Sequence, residues 1–196
     1  MPRPSLKDQR TNEILDAYLT CVARFGLEGA TQDRIAEEAG VKRPLLRHYL
    51  GNKDEMIIAL TGHVVTCFGE AVEGLRQALP DMAQPSDLVE ALFSEHSGTD
   101  PRLMLTYQAL VAAVPGHPNL RQGLMDSLTD FYDVVEEILR RAAPMAPDAK
   151  IRAVTQGISA IFVNLDALST LDPPDDWRAE LKLAATLMAS VLKVRQ

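Results

Sequence analysis

From residue 8 to the end of the chain, apolar side chains recur every three or four positions, and no segment alternates apolar and polar residues between hairpin turns. The pattern predicts an all-α chain of about nine helices. The first, about Asp8 to Phe25, carries Ile14, Tyr18, Val22 and Phe25 on one face, and Gly26 supplies the left-handed residue that ends it; a flexible basic arm precedes it. A second, short helix starts near Thr31 and turns Ile35, Ala36 and Ala39 inward before Gly40 breaks the pattern. The third, about Lys42 to Leu50, buries Leu46 and Leu50, joined by Val41. Asn52 and Glu55 have the spacing of a capping box, so a long fourth helix runs from about Lys53 to Leu79, where Pro80 stops it. Proline and glycine punctuation then separates five further helices, at about 86 to 96, 101 to 114, 118 to 143, 148 to 171 and 175 to 195.

Two short helices joined by a glycine turn make a helix-turn-helix, the arrangement that lays its second helix in the major groove of DNA with flanking groups on phosphates. Here that helix begins Lys42-Arg43-Pro44-Leu45 and continues Leu46-Arg47-His48-Tyr49. Proline is tolerated in a first helical turn, where its missing N–H has no intrahelical acceptor anyway. Arg43 and Arg47 stand four residues apart on one exposed face, and either fork matches a guanine edge or a phosphate. Lys53, at the start of the fourth helix, and Thr31 and Gln32, at the start of the second, are placed to hold phosphates beside helix N-termini.

Net charge qualifies this picture. The chain of 196 residues carries a formal charge of -7, which argues against coating nucleic acid by bulk positive charge. The charge is uneven, however: residues 1–53 hold nine Lys/Arg against seven Asp/Glu, net +2, and the remainder is net -9. Any DNA contact is therefore local to the N-terminal quarter, and the domain boundary is expected near residue 52, with a reading domain over 1–52 and a second domain over 53–196. At 46% hydrophobic and 24% charged the composition is that of a folded protein. The stretches without Asp, Glu, Lys or Arg, Met56 to Gly69 among them, are all shorter than the roughly 20 residues a bilayer requires. No signal-peptide pattern opens the chain, so a cytoplasmic protein without a membrane partner is expected.

Enzymatic function is not expected. The sequence has no G-x-S-x-G, P-loop, G-x-G-x-x-G or H-E-x-x-H, and His48, His63, His96 and His117 fall on separate elements. Cys21 and Cys67 have no C-x-x-C spacing and read as buried thiols; His63 and Cys67 alone are half a metal site, so neither metal nor cofactor is expected.

Residues 11 to 60 resemble the N-terminal domain of the TetR family of transcriptional regulators. The resemblance is carried by Ile14-Leu15-x-Ala17, Phe25-Gly26, Thr31, Ile35-Ala36-x-x-Ala39-Gly40-Val41, Leu46 and Lys53-Asp54-Glu55. It implies a homodimer whose two N-terminal domains reach adjacent major grooves of a palindromic operator. It also implies a variable C-terminal domain that takes a small-molecule effector and then releases the DNA. The sequence departs from the family pattern at Leu45, where a small or hydroxylated residue is common, at Arg47 and Leu50, where aromatics are common, and at Gly51, where proline or lysine is common. Arg47 then replaces a tyrosine hydroxyl on phosphate with a charged, more salt-sensitive contact, and Tyr49 can supply a hydroxyl nearby.

In the C-terminal part, Ile151, Val154, Ile158, Ile161, Leu165 and Leu168 form a heptad-like seam, and the last helix has Leu181, Leu183, Leu187, Met188, Val191 and Val194 on more than one side. A dimer interface from the last two helices, including Leu187 and Val191, is the expectation; a helix pair consumed within one chain is the alternative. Phe68, Met104, Tyr107, Gln108, Met125, Tyr132 and Phe162 form the expected effector pocket, each equally suited to an ordinary core. A helical adaptor that binds protein through its N-terminal bundle is the competing function; it would lack the steep salt dependence of DNA binding.

Overall fold

The computed structural model describes residues 5–80, 82–94 and 100–192. The N-terminal arm before Ser5, His96 and Val194 lie outside the described residues, as do the last residues expected in the fifth and ninth helices. The described residues form nine α-helices and two single 3-10 turns, without a strand. They are α1 (Leu6–Gly29), α2 (Gln32–Glu38), α3 (Arg43–Leu50), α4 (Lys53–Ala78), α5 (Pro85–Phe93), α6 (Pro101–Ala113), α7 (Arg121–Ala142), α8 (Asp148–Ala167) and α9 (Asp175–Ser190).

Most helix ends have identifiable local causes. Ser5 caps α1 and Thr31 caps α2, each accepting a backbone N–H three residues on. Asn52 accepts from the N–H groups of Asp54 and Glu55, while the Glu55 carboxylate accepts the Asn52 N–H at 2.7 Å, completing the expected capping box. Gly26, at φ 69°, interrupts the helical backbone of α1 as expected, and one further turn runs on to Gly29 beyond the kink. Phe25, expected in the core, is 48% exposed, because the kink turns it outward; the Arg34 guanidinium lies 4.3 Å from its ring centre.

Gly51 has φ 79°, outside the range of a proline and strained for any residue with a Cβ. A Cβ there would also collide with the Glu55 carboxylate that caps α4. Gly51→Ala is expected to destabilise the protein by about 1–3 kcal/mol, read as a lowered midpoint in urea or heat.

The chain divides into two compact units, residues 1–68 with 102–126 and residues 69–101 with 127–196. In the first unit the helix-turn-helix is fastened by Ile35, Leu46 and Leu50 to Ile14, Tyr18 and Leu19 of α1 and to Met56, Ile57, Leu60 and Val64 of α4. Leu103 and Leu110 of α6 join this core, and Arg102 pairs with Asp16 of α1 at 3.2 Å while donating to the Thr20 hydroxyl at 2.7 Å. Cys21 is buried here, which pushes its thiol pKa up, and burial likewise raises the Tyr18 phenol to about 12. By length and composition α4 is apolar enough to cross a membrane, a property the count of charge-free residues did not register. Met56, Ile57, Leu60 and Val64 of its N-terminal half are buried in this core.

The second unit packs α5, α7, α8 and α9 around Leu88, Val89, Leu92, Val135, Ile138, Leu139, Ile151, Ile158 and Ala185. Gly157 lets α8 and α9 approach: a Cβ there would lie 2.6 Å from the Met188 sulfur.

Candidate nucleic-acid interface and C-terminal surfaces

The third helix is held from beneath and open from above. Leu46 and Leu50 are buried, whereas Lys42, Arg43, Pro44, Leu45, Arg47 and His48 are all exposed. Four residues of spacing put Leu46 and Leu50 on one side of α3, and the same periodicity sends Arg43 and Arg47 to another. Tyr49 is partly buried against the first core and meets the His48 ring edge-on at 5.1 Å.

The cations differ in what they already touch. Lys42 and Arg47 have no ion-pair partner among the described residues. Arg43 donates to the Gln32 side chain and to Asp33 of α2, each at 3.2 Å. Lys53 donates to Glu28 at 2.7 Å, and that bond holds the Glu28 carboxyl below its ordinary pKa. Thr31 spends its hydroxyl on capping its own helix at 3.4 Å. The Gln32 amide is occupied at both ends, accepting from Arg43 and contacting the Met56 sulfur at 3.7 Å. Sequence reasoning missed Glu28 and Asp33, which come from other elements and show no periodic signal of their own. Both ion pairs are exposed, and exposed pairs contribute about 0–1 kcal/mol, so a phosphate can displace either carboxylate. His117, expected on a solvated surface, is partly buried and stands 4.0 Å from Asp54 in the first turn of α4.

The seven residues expected around an effector do not form one set. Phe68, Met104, Tyr107, Gln108 and Met125 belong to the first unit, Tyr132 and Phe162 to the second. In the first, Phe68 meets Tyr107 edge-on at 5.5 Å, and the Tyr107 hydroxyl donates to the Leu124 carbonyl at 3.0 Å. Met104 is buried, while Gln108 and Met125 are exposed. In the second, Phe131 lies 5.7 Å from Phe162 and 5.9 Å from Tyr132, and Phe162 also meets Phe93 at 6.1 Å. His63 and Cys67 approach to 3.9 Å, but no group of three or more potential metal ligands occurs among the described residues.

The residues expected at a dimer seam also separate. Ile151, Val154, Ile158 and Leu165 are buried in the chain's own second core, and Ile161 and Leu168 are partly exposed. The large free apolar surface lies on α9 instead. Its inner side packs Leu181, Ala185 and Ala189 against the second core, and outward stand Leu183 and Leu187 of α9 and Val191, its C-cap, at 59, 60 and 53% exposure. Exposed leucines opposite buried alanines are unusual for a surface helix.

Comparison with known proteins agrees with this geometry. Residues 14–60 match the sequence model of the family described as "Bacterial regulatory proteins, tetR family". The HTH-type transcriptional regulator BetI of Burkholderia thailandensis is 27% identical over 187 residues, covering 94% of each chain. BetI of Serratia proteamaculans is 27% identical over 87% of this chain and 86% of its own. Among solved structures, a TetR-family transcriptional regulator of Cytophaga hutchinsonii superposes over 100% of both chains with a TM-score of 0.78 at 12% identity. The fatty acid degradation regulator FadR of Bacillus halodurans covers 99% of this chain and 100% of its own, with a TM-score of 0.74 at 20% identity.

Proposed function

We propose, from the match of residues 14–60 to the tetR family of bacterial regulatory proteins and the likeness to BetI along most of the chain, that the protein is a TetR-family helix-turn-helix regulator, a repressor that binds a palindromic operator as a homodimer and is released by a small molecule. The observation that carries the reading is the third helix, clamped through Leu46 and Leu50 while Lys42, Arg43, Pro44, Leu45, Arg47 and His48 stay exposed. A helix fixed on one side and basic on the other is what major-groove recognition needs. In this reading Arg43 and Arg47 share the base edge and the phosphate between them, with Tyr49, Thr31 and Gln32 flanking. Lys53 exchanges Glu28 for a phosphate at the start of α4. The reading domain comprises residues 1–52, and residues 53–196 take the effector and the second protomer. Leu187 and Val191 lie at the centre of that interface, with Leu183 beside them and Ile161 and Leu168 at its edge. The protein works in the cytoplasm, where the DNA is.

An effector acts only through its preference for one of two states, here the dimer whose two heads no longer match adjacent grooves. Selection from a random duplex library tests the whole reading: enrichment of a pseudo-palindrome with half-sites about one helical turn apart is expected. A flat library at low salt would overturn it and leave the protein-binding adaptor. On the selected operator, Arg47→Ala is expected to weaken binding by about tenfold or more at unchanged melting temperature, by loss of one charged contact of about 1–3 kcal/mol per half-site. Unchanged affinity in an electrophoretic shift would remove Arg47 from the interface.

A further inference from the structure

Two side-chain oxygens in the second unit are buried without a partner. Thr155 Oγ1 and Ser159 Oγ have no hydrogen bond among the described residues, and their residues are 2 and 0% exposed. They stand four residues apart on α8, one above the other on a single face. A helical serine or threonine can turn its hydroxyl back onto the carbonyl four residues earlier, as Thr61 does onto Ile57 at 2.9 Å and Thr186 onto Lys182 at 2.8 Å. Buried Thr20 and Thr106 are likewise satisfied, by Asp16 and Leu19 carbonyls. Thr155 and Ser159 are the exceptions, and native proteins seldom keep such groups without a use.

Their surroundings indicate what would satisfy them. One turn after Ser159, on the same side of α8, Phe162 packs against Phe93 and Phe131. Phe162 and neighbouring Tyr132 are only partly buried, so this aromatic group reaches the surface. The buried polar residues described are all serines and threonines, with no charged side chain among them. A charged group brought here would lack a counterion and be strongly disfavoured.

We propose that Thr155 and Ser159 are the hydrogen-bonding end of an effector site in the second unit, taking an uncharged small molecule with a carbonyl or hydroxyl oxygen against the two hydroxyls and an apolar, preferably aromatic, body against Phe93, Phe131 and Phe162. This rests on the ligand-responsive reading above and names its site. The two hydroxyls donate to a carbonyl, or one donates and the other accepts from an alcohol. Binding relieves an unsatisfied pair that destabilises the empty protein, so the same residues should weaken the fold and strengthen recognition.

The test melts the full chain, Thr155→Val, Ser159→Ala and the double variant, with and without millimolar acetophenone, benzamide and benzyl alcohol. The same probes are added to the complex with the selected operator. Without probe, the double variant is expected to melt a few degrees above the wild type, because two orphaned hydroxyls have been replaced by apolar groups of similar shape. At least one probe is expected to raise the wild-type midpoint, with the double variant needing about tenfold more of it. Equal responses, no response to any probe, or a double variant that melts lower than the wild type would overturn the site. Stabilisation that is lost in the double variant, but leaves operator binding untouched, would uphold the site and remove the effector reading. Release of operator equally from wild type and double variant would uphold the effector reading and overturn this site.

Discussion

A Leu187→Asp, Val191→Asp double variant is expected to elute as a monomer and to bind the selected operator about 100-fold more weakly, or worse. Leu187 on the outer face of α9 and Val191 at its C-cap are 60 and 53% exposed, and neither belongs to the cores of the single chain. Replacing them therefore removes nothing from the fold of one protomer, and the melting temperature of the monomer should stay near the wild-type value at low protein concentration. In a dimer the same positions face a second copy, and two aspartates meeting their symmetry mates across an apolar seam add charge repulsion to desolvation. Operator affinity falls because a dimer engages its second half-site at high effective concentration, an advantage a monomer lacks. Size exclusion with in-line light scattering and an electrophoretic shift on the full operator check both halves. A variant that remains dimeric would place the interface elsewhere on the chain.

The expectation of a seam along Ile151, Val154, Ile158 and Leu165 shows where periodicity stops being informative. Apolar spacing marks a face that must be covered, but the chain's own helices and a second copy cover it with the same chemistry. Only the packing distinguishes them: those four residues are buried within one chain, whereas Leu183 and Leu187 are not. The reading head was legible in greater detail because its signals are local. The left-handed glycines 26 and 40, the cap at Asn52 and the inward Leu46 and Leu50 are each dictated by residues within a few positions. Even there, the turn that continues to Gly29 and the exposed Phe25 ring, met by Arg34 from nine residues away, were not legible. The Asp33 and Glu28 partners of Arg43 and Lys53 were hidden for the same reason, since ion pairs between elements have no period. The effector-pocket residues drawn from composition fell into two units, because aromatic and methionine residues fill cores as readily as they line sites. Thr155 and Ser159 gave no sequence signal at all: a serine or threonine in a helix is unremarkable until its hydroxyl is seen without a partner.

Leu46→Ala is expected to cost about 2–5 kcal/mol of stability and, with it, operator binding at physiological temperature. Leu46 is fully buried on the inner side of α3, in the core that joins α1, α2 and α4. Truncation leaves a cavity that these four helices cannot fill without moving, since helix ends capped at Thr31 and Asn52 fix the chain on either side of α3. With α3 only eight residues long, its conformation depends on tertiary packing rather than on intrinsic helicity, so losing its chief anchor loosens the whole reading surface. Against a total stability of about 5–15 kcal/mol, that loss corresponds to a lowering of the melting midpoint by roughly 5–15 °C. The comparison with Arg47→Ala separates scaffold from contact on neighbouring residues of one helix. Leu46→Ala should lower the midpoint and lose affinity in proportion to the unfolded fraction, recovering as temperature falls. Arg47→Ala should lose affinity at every temperature with the midpoint unmoved. If Leu46→Ala melted like the wild type, α3 would not be anchored through its inner face, and a helix free to roll could not hold Arg43 and Arg47 in register with a groove.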